Sequence, residues 1–314
     1  MSSGKKILLI IPYFGTWPEY LNLYIQSCYY NKWLNILFLT DNEIPTKYPP
    51  NIKFIESSLK QISNLICKKL NILNYELPNS YKLCDFKPTY GLLFQEYLVE
   101  YDYWAYGDID LIYGDLEGKL RNELQNNYDF ISLREEILSG SFCLIKNTFY
   151  NNHLFKKLVD FNELVTSEQY EGIDETRHNS AIWTGLQKIQ LPDSSFTYLI
   201  SRENDELRIK ASFKTHICEN LDRRSHIMFE NNQLYYQGQT LGYFHYVMNK
   251  RKAYFSYPNW EKLPKKFYIT DCGFYKSLRV AYLFDPLKKI FNIGAYNLRK
   301  TLKYLIKNNQ LKKL

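Results

Sequence analysis

The chain has 314 residues, 45% of them apolar and 23% charged, enough to bury a full hydrophobic core and unlike a disordered segment. The net charge of +7 is uneven: from Phe274 onward ten Lys or Arg stand against Asp285 alone, so the remainder is slightly acidic, which argues against a nucleic-acid-binding core. Cys28, Cys67, Cys84, Cys143, Cys218 and Cys272 are scattered, mostly in apolar runs, with no C-x-x-C pair, as buried thiols in a reducing cytosol would be, without disulfides or zinc.

The opening MSSGKKILLIIPYFG has an apolar centre of only Ile7 to Ile11, too short for a signal peptide, so Lys5 to Ile11 is expected to be a first strand. Thr16 or Trp17 can cap a helix with Pro18 in its first turn, and Leu34 to Thr40 and Asn51 to Ile55 are expected as further strands. Ser57 or Ser58 starts a helix whose stripe is Leu59, Ile62, Ile66 and Leu70. Strands alternating with helices predict an α/β fold, Rossmann-like, with a mostly parallel central sheet flanked by helices. In such sheets ligands lie beyond the carboxyl ends of the strands, where Tyr13, Gly15, Asp41 and Asp108 fall.

Pro88 is expected to open a helix through Leu98, placing Asp85 and Lys87 at its positive end. Lys87 is then a candidate phosphate contact or a plain surface lysine, and Asp85 a candidate acceptor for a ribose hydroxyl or base. The segment YDYWAYGDIDLIYGDL follows. An aromatic strand breaks at Gly107, and Asp108 and Asp110, two apart, emerge on one face. Two carboxylates with no base between them repel unless a cation joins them, and oxygen ligands suit Mg²⁺ or Mn²⁺. The alternative is a solvated turn.

Farther on, Asp115 to Leu124 and Thr148 to Phe161 have helical spacing, and Tyr128 to Leu133 and Phe142 to Ile145 that of strands. Between the strands, Glu135, Glu136 and Ser139-Gly140-Ser141 are either acceptor-pocket lining or a polar loop. In the charged connector YEGIDETRHN, Asp174 and Glu175 are candidate catalytic carboxylates or a cap for a helix at Ala181-Ile182-Trp183. Asn231-Asn232 marks a hairpin over Ile227 to Gln237. In the strand Gly242 to Val247, His245 is either a core histidine or a third metal ligand, with His216 as competitor, and Lys250-Arg251-Lys252 can meet a diphosphate. The tail, 274–314, repeats Leu298, Leu302, Leu305 and Ile306 among Lys and Arg. It reads as an amphipathic helix on an anionic membrane surface or as a solvated helix.

These pieces resemble a GT-A-type glycosyltransferase. The likeness rests on Asp85 and Lys87 ahead of Trp104 to Asp110, the Ser139-Gly140-Ser141 loop and the late His245. IPYFG, SCYYN, YKLCDFKPTYG and YWAYGDIDLIYGDL resemble a bacterial family of such enzymes linked to capsule or lipopolysaccharide genes. The resemblance covers roughly residues 5 to 250. It implies a nucleotide-sugar donor, a saccharide or lipid-linked saccharide acceptor, and Mn²⁺ or Mg²⁺ on Asp110, Asp108 and His245. Asp108 would bind the metal or ribose, and Asp85 and Lys87 the nucleoside and diphosphate. Families related to glycogenin use a comparable Asp, Asp, His set, with Asp-x-x-Arg in many members where this chain has Asp-x-Lys. The implied organisation is a domain over 1–273, its nucleotide part about 1–125 and its acceptor part about 126–273, on the inner face of the plasma membrane. A nucleotidyltransferase of similar fold and a non-catalytic sugar-binding protein are the alternatives.

Overall fold

A computed structural model describes residues 4–135, 137–178, 191–222 and 225–291. Its strands are β1 (Ile7–Pro12), β2 (Leu34–Thr40), β3 (Ile52–Glu56), β4 (Tyr103–Gly107), β5 (Leu111–Tyr113), β6 (Phe130–Ser132), β7 (Phe142–Lys146) and β8 (Ala211–Phe213). Then come β9 (Ile217–Cys218), β10 (Ile227–Glu230), β11 (Gln233–Tyr236), β12 (Gln239–Leu241), β13 (Tyr243–His245), β14 (Lys266–Thr270) and β15 (Gly273–Tyr275). The central sheet has the order β3-β2-β1-β4-β7-β6-β8, and only β7 runs against the rest.

Alternation along the central strands feeds two layers. Leu8, Ile10, Leu37, Leu39, Trp104 and Tyr106 face one side, and Ile7, Leu9, Ile36, Phe38, Tyr103 and Ala105 face the other. Helix α1 (Leu21–Cys28) covers the second side with Tyr24, Ile25 and Cys28; α2 (Leu59–Leu70) covers the first with Ile62 and Ile66. Ser58 starts α2 through a reciprocal capping box with Gln61. The fold is thus mixed α/β, with a mostly parallel sheet between helices.

Asn79, not Pro88, begins the next helical segment: its side chain accepts from the Lys82 N–H and opens a 3₁₀ helix, Ser80–Thr89, that contains Pro88. A short α3 (Tyr90–Leu93) continues it. Lys87 therefore sits at the end of a 3₁₀ helix, and the expected helix-dipole argument for it does not apply. After β5, α4 (Leu116–Gln125) is capped by Asp115. The expected helix over 148–161 is broken into α5 (Phe149–His153), a 3₁₀ turn (Leu154–Lys157) and α6 (Phe161–Thr166); α7 (Phe196–Asp205) precedes β8.

Among the described residues there are two smaller sheets, β5-β13-β9 and an antiparallel β12-β11-β10-β14-β15. Asn231 and Asn232, both left-handed, make the hairpin turn between β10 and β11. Because β15 pairs with β14, Phe274 and Tyr275 belong to this sheet and not to the tail. A helix over 278–291, α8, follows. Glu136, Ala181 to Trp183, and the stripe Leu298, Leu302, Leu305 and Ile306 lie outside the described residues. No helix among the described residues is long and apolar enough to cross a membrane.

Candidate functional site

From β1 the chain moves outward to β2 and β3 on one side, and β4 lies on the other, so strand order reverses between β1 and β4. Open α/β sheets bind ligands at such a point. A cavity of about 840 Å³ opens at these carboxyl ends. β1 delivers Tyr13 and Phe14 to it, and β4 ends at Gly107 and hands over Asp108 and Asp110. A Cβ at Gly107 would stand 3.1 Å from the Ser141 carbonyl oxygen, so a side chain there would press on the loop that forms the far wall.

Strand register supplies the rest. β5 runs antiparallel to β13 with Leu111 opposite His245, and the Tyr246 N–H donates to the Asp110 carbonyl at 3.2 Å. β9 lies on the other side of β13 and ends one residue before Glu219. Ligand-capable atoms of Asp108, Asp110 and His245 consequently lie within 4.8 Å of one another. His245 Nδ1 is 3.2 Å from Glu219 Oε1. Its Nε2 is buried, faces Asp110 Oδ1 at 3.4 Å and Asp108 Oδ2 at 4.0 Å, and makes no aligned hydrogen bond. Two carboxylates and a buried imidazole nitrogen without a hydrogen-bond partner fit a divalent cation such as Mn²⁺ or Mg²⁺.

Charge in the cluster is balanced within the protein. Burial disfavours a charged imidazole, but Asp110 and Glu219 outweigh it and carry His245 up to about 10. Burial likewise opposes ionisation of Asp110, yet His245 and Lys250 hold it well below the ordinary carboxylate range. Lys250 Nζ lies 2.6 Å from Asp110 Oδ2. A cation on this set has to replace a proton at Nε2 and share Asp110 with Lys250.

Lys87 joins the cation-binding pair to a second pair of acids. Its ammonium donates to Asp108 Oδ1 at 2.9 Å and to the Gly140 carbonyl at 2.8 Å, and lies 3.5 Å from Asp174 Oδ2. Burial would lower its pKa, but Asp108, Cys84 and Asp174 together raise it well above that of a free lysine. Asp174 is fully buried, accepts from Tyr170 Oη at 2.7 Å, and is pushed up to about 7 by burial and the neighbouring Glu175, against the pull of Lys87. Glu175 Oε1 accepts from the Gly140 N–H at 2.7 Å. A Cβ on Gly140 would come within 2.9 Å of Asp174 Oδ2 and 3.0 Å of Glu175 Oε1, so a side chain there would push these carboxylates from their positions.

The structure therefore brings Tyr13, Lys87, Asp108, Asp110, Asp174, Glu175 and His245 to one cavity. Asp85 is elsewhere. It is fully buried, receives Lys82 Nζ at 2.9 Å and the N–H groups of Glu171 at 2.8 Å and Ile173 at 3.1 Å, and cannot reach a ribose. Gly15 and Asp41 are exposed beside the cavity and bond to each other, Gly15 N–H to Asp41 Oδ1 at 3.1 Å, without lining it. Glu135 is exposed and accepts from Thr215, and His216 stands away from the Asp108–Asp110 pair. Ser139 and Ser141 bond to each other and to Tyr243, so their hydroxyls brace the loop.

Sequence reasoning did not find Glu219 or the reach of Arg134. Arg134 Nη1 is 3.2 Å from Glu219 Oε2 and 3.9 Å from Glu175 Oε1, tying the histidine side of the cavity to the acidic pair. No local motif marks either residue.

A family model described as "Family of unknown function (DUF6625)" matches residues 9–277. No curated protein matches the chain. Among solved structures, the glycosyltransferase GlyE of Streptococcus pneumoniae TIGR4 is similar over 70% of this chain and 69% of its own, at 13% identity. Its TM-score is 0.26, a likeness that carries no argument about fold or activity.

Proposed function

The chain belongs to that family of unknown function, and from the chemistry of its cavity we propose that it transfers a sugar from a nucleotide-sugar donor to a saccharide or lipid-linked saccharide acceptor, using a divalent cation. The supporting observation is the convergence of Asp108, Asp110 and the hydrogen-bond-free Nε2 of His245 beside Lys87 and Lys250, at the reversal point of the sheet. When bound, the cation offsets the negative charge that grows on a departing nucleoside diphosphate.

Each residue then has a task. Asp108, Asp110 and His245 hold the cation, and Glu219 orients the imidazole through Nδ1, leaving Nε2 toward it. Lys250 and Arg251, both on the cavity wall, meet the phosphates, Lys250 by turning from Asp110 to a phosphate oxygen. Lys87 stays fixed by Asp108 and Gly140 and adds positive charge on the inner side. Tyr13, stacked on Trp17, and Tyr81 line the cavity and supply aromatic surface for a base or sugar. Asp174, poised near neutrality and held by Tyr170, is suited to accept the proton of an attacking hydroxyl, with Glu175 bracing the Gly140 loop.

The test is nucleoside diphosphate release from UDP-sugars in the presence of Mn²⁺. The wild type should release it, and Asp110→Ala should lose roughly a hundredfold or more in rate. Equal rates in the two proteins reject the site. Release of pyrophosphate from nucleoside triphosphates instead identifies a nucleotidyltransferase.

A further inference from the structure

Helix α8 is mounted with its polar side inward. Ala281 and Asp285 are buried, and Asp285 accepts a hydrogen bond from Tyr275 of β15. Lys288 Nζ donates to Tyr275 Oη at 2.7 Å and Ser256 Oγ at 2.6 Å, and Lys289 Nζ to Asp271 Oδ1 at 2.9 Å. These contacts fix the rotation of the helix on the small sheet.

The opposite side is apolar and exposed. Val280, Leu283, Phe284, Leu287, Ile290 and Phe291 recur at helical spacing, and Leu283 and Phe291 are 69% and 73% exposed. A helix on a globular domain ordinarily turns such a stripe to the core. Here hydrogen bonds and ion pairs hold it outward, and no described residue covers it. Charge says what: exposed Lys276 and Arg279 flank the start of α8, and residues 292–314 add six Lys or Arg and no acid. An apolar stripe followed in the sequence by a stretch with basic residues and no acid matches an anionic bilayer surface, with rings and aliphatic chains among the acyl chains and lysines at the head groups.

We propose that α8 is a membrane-docking element that seats the protein on anionic phospholipid. The inference rests on no part of the sugar-transfer reading. Its test uses the full chain and vesicles of phosphatidylcholine, alone or mixed with phosphatidylglycerol, with Leu283→Asp/Leu287→Asp as the variant. Both leucines are about half exposed or more, so the variant should melt as the wild type does. Wild type should sediment with the mixed vesicles and not with the neutral ones, less so as salt rises, and the variant should lose about tenfold or more of that binding. Failure of the wild type to bind mixed vesicles overturns the proposal. So does equal binding by the variant, which would leave the charges of 292–314 as the whole cause. A vesicle-indifferent dimer that the variant turns into a monomer also overturns it, by assigning the stripe to a second copy.

Discussion

Replacing Asp85 by Asn tests whether this carboxylate holds the fold or a ligand. One oxygen takes the Lys82 ammonium and the Glu171 N–H, the other the Ile173 N–H, and neither reaches the cavity. An amide keeps the volume but presents its NH₂ to at least one donor and leaves Lys82, itself buried, without its countercharge. Breaking a buried ion pair from one side costs about 3–5 kcal/mol. That is a large share of the roughly 5–15 kcal/mol by which domains are stable. The melting temperature should fall by on the order of 10 °C, read by calorimetry or circular dichroism. Because Glu171 and Ile173 lead directly into Asp174, the connector should also become more susceptible to proteolysis. A melting temperature unchanged within a degree or two, together with a large loss of nucleotide-sugar affinity, would refute this reasoning and make Asp85 a ligand contact.

Other residues give independent checks. Glu219→Gln should weaken Mn²⁺ binding by roughly 10–100-fold, measured by calorimetry, with melting little changed; an unaltered affinity would show that His245 needs no orienting partner. Gly140→Ala, which crowds Asp174 and Glu175, should abolish turnover while Mn²⁺ affinity stays within a few-fold, and full activity would place the acids outside the chemistry. Glu203 is held at about 2, chiefly by the paired bonds from Arg208, against burial and with help from Tyr150 and Lys157. A carboxylate so depressed stabilises the fold above the range where a free Glu titrates and ceases to do so as pH falls through about 2. Glu203→Gln should therefore cost about 1–2 kcal/mol at neutral pH, discounted because Arg208 and Lys157 are partly solvated, and the difference in denaturant midpoint should vanish near pH 2. A constant difference at all pH values would contradict the assignment.

The central strands were legible because apolar runs bounded by Gly, Pro and Asn carry the strand signal locally; Leu34–Thr40 falls where its residues indicate, and Ser58 and Asp115 cap as their side chains allow. The helix start was misplaced because Pro88 looks like a first helical residue, whereas Asn79 nine positions earlier had already started a tighter helix that tolerates it, so Lys87 reaches the cavity from the end of a 3₁₀ helix. Asp85 looked like a ligand because spacing does not reveal burial, and its three donors come from a side chain on its own helix and two backbone groups in a distant connector. Glu219 could not be found at all. It meets His245 only through the pairing of β9 with β13, which is set by long-range register and leaves no local trace. The small antiparallel sheet was legible only at its Asn231-Asn232 turn, since β14 and β15 lack a comparable signal.

The account stands on the cation. Crystals of the full chain grown or soaked with manganese and a nucleoside diphosphate, with diffraction recorded at the manganese absorption edge, should give an anomalous peak within about 2.5 Å of Asp108 or Asp110 oxygens and of His245 Nε2. A peak only elsewhere, or none with diphosphate in the cavity, would contradict the claim that these three side chains form a metal centre.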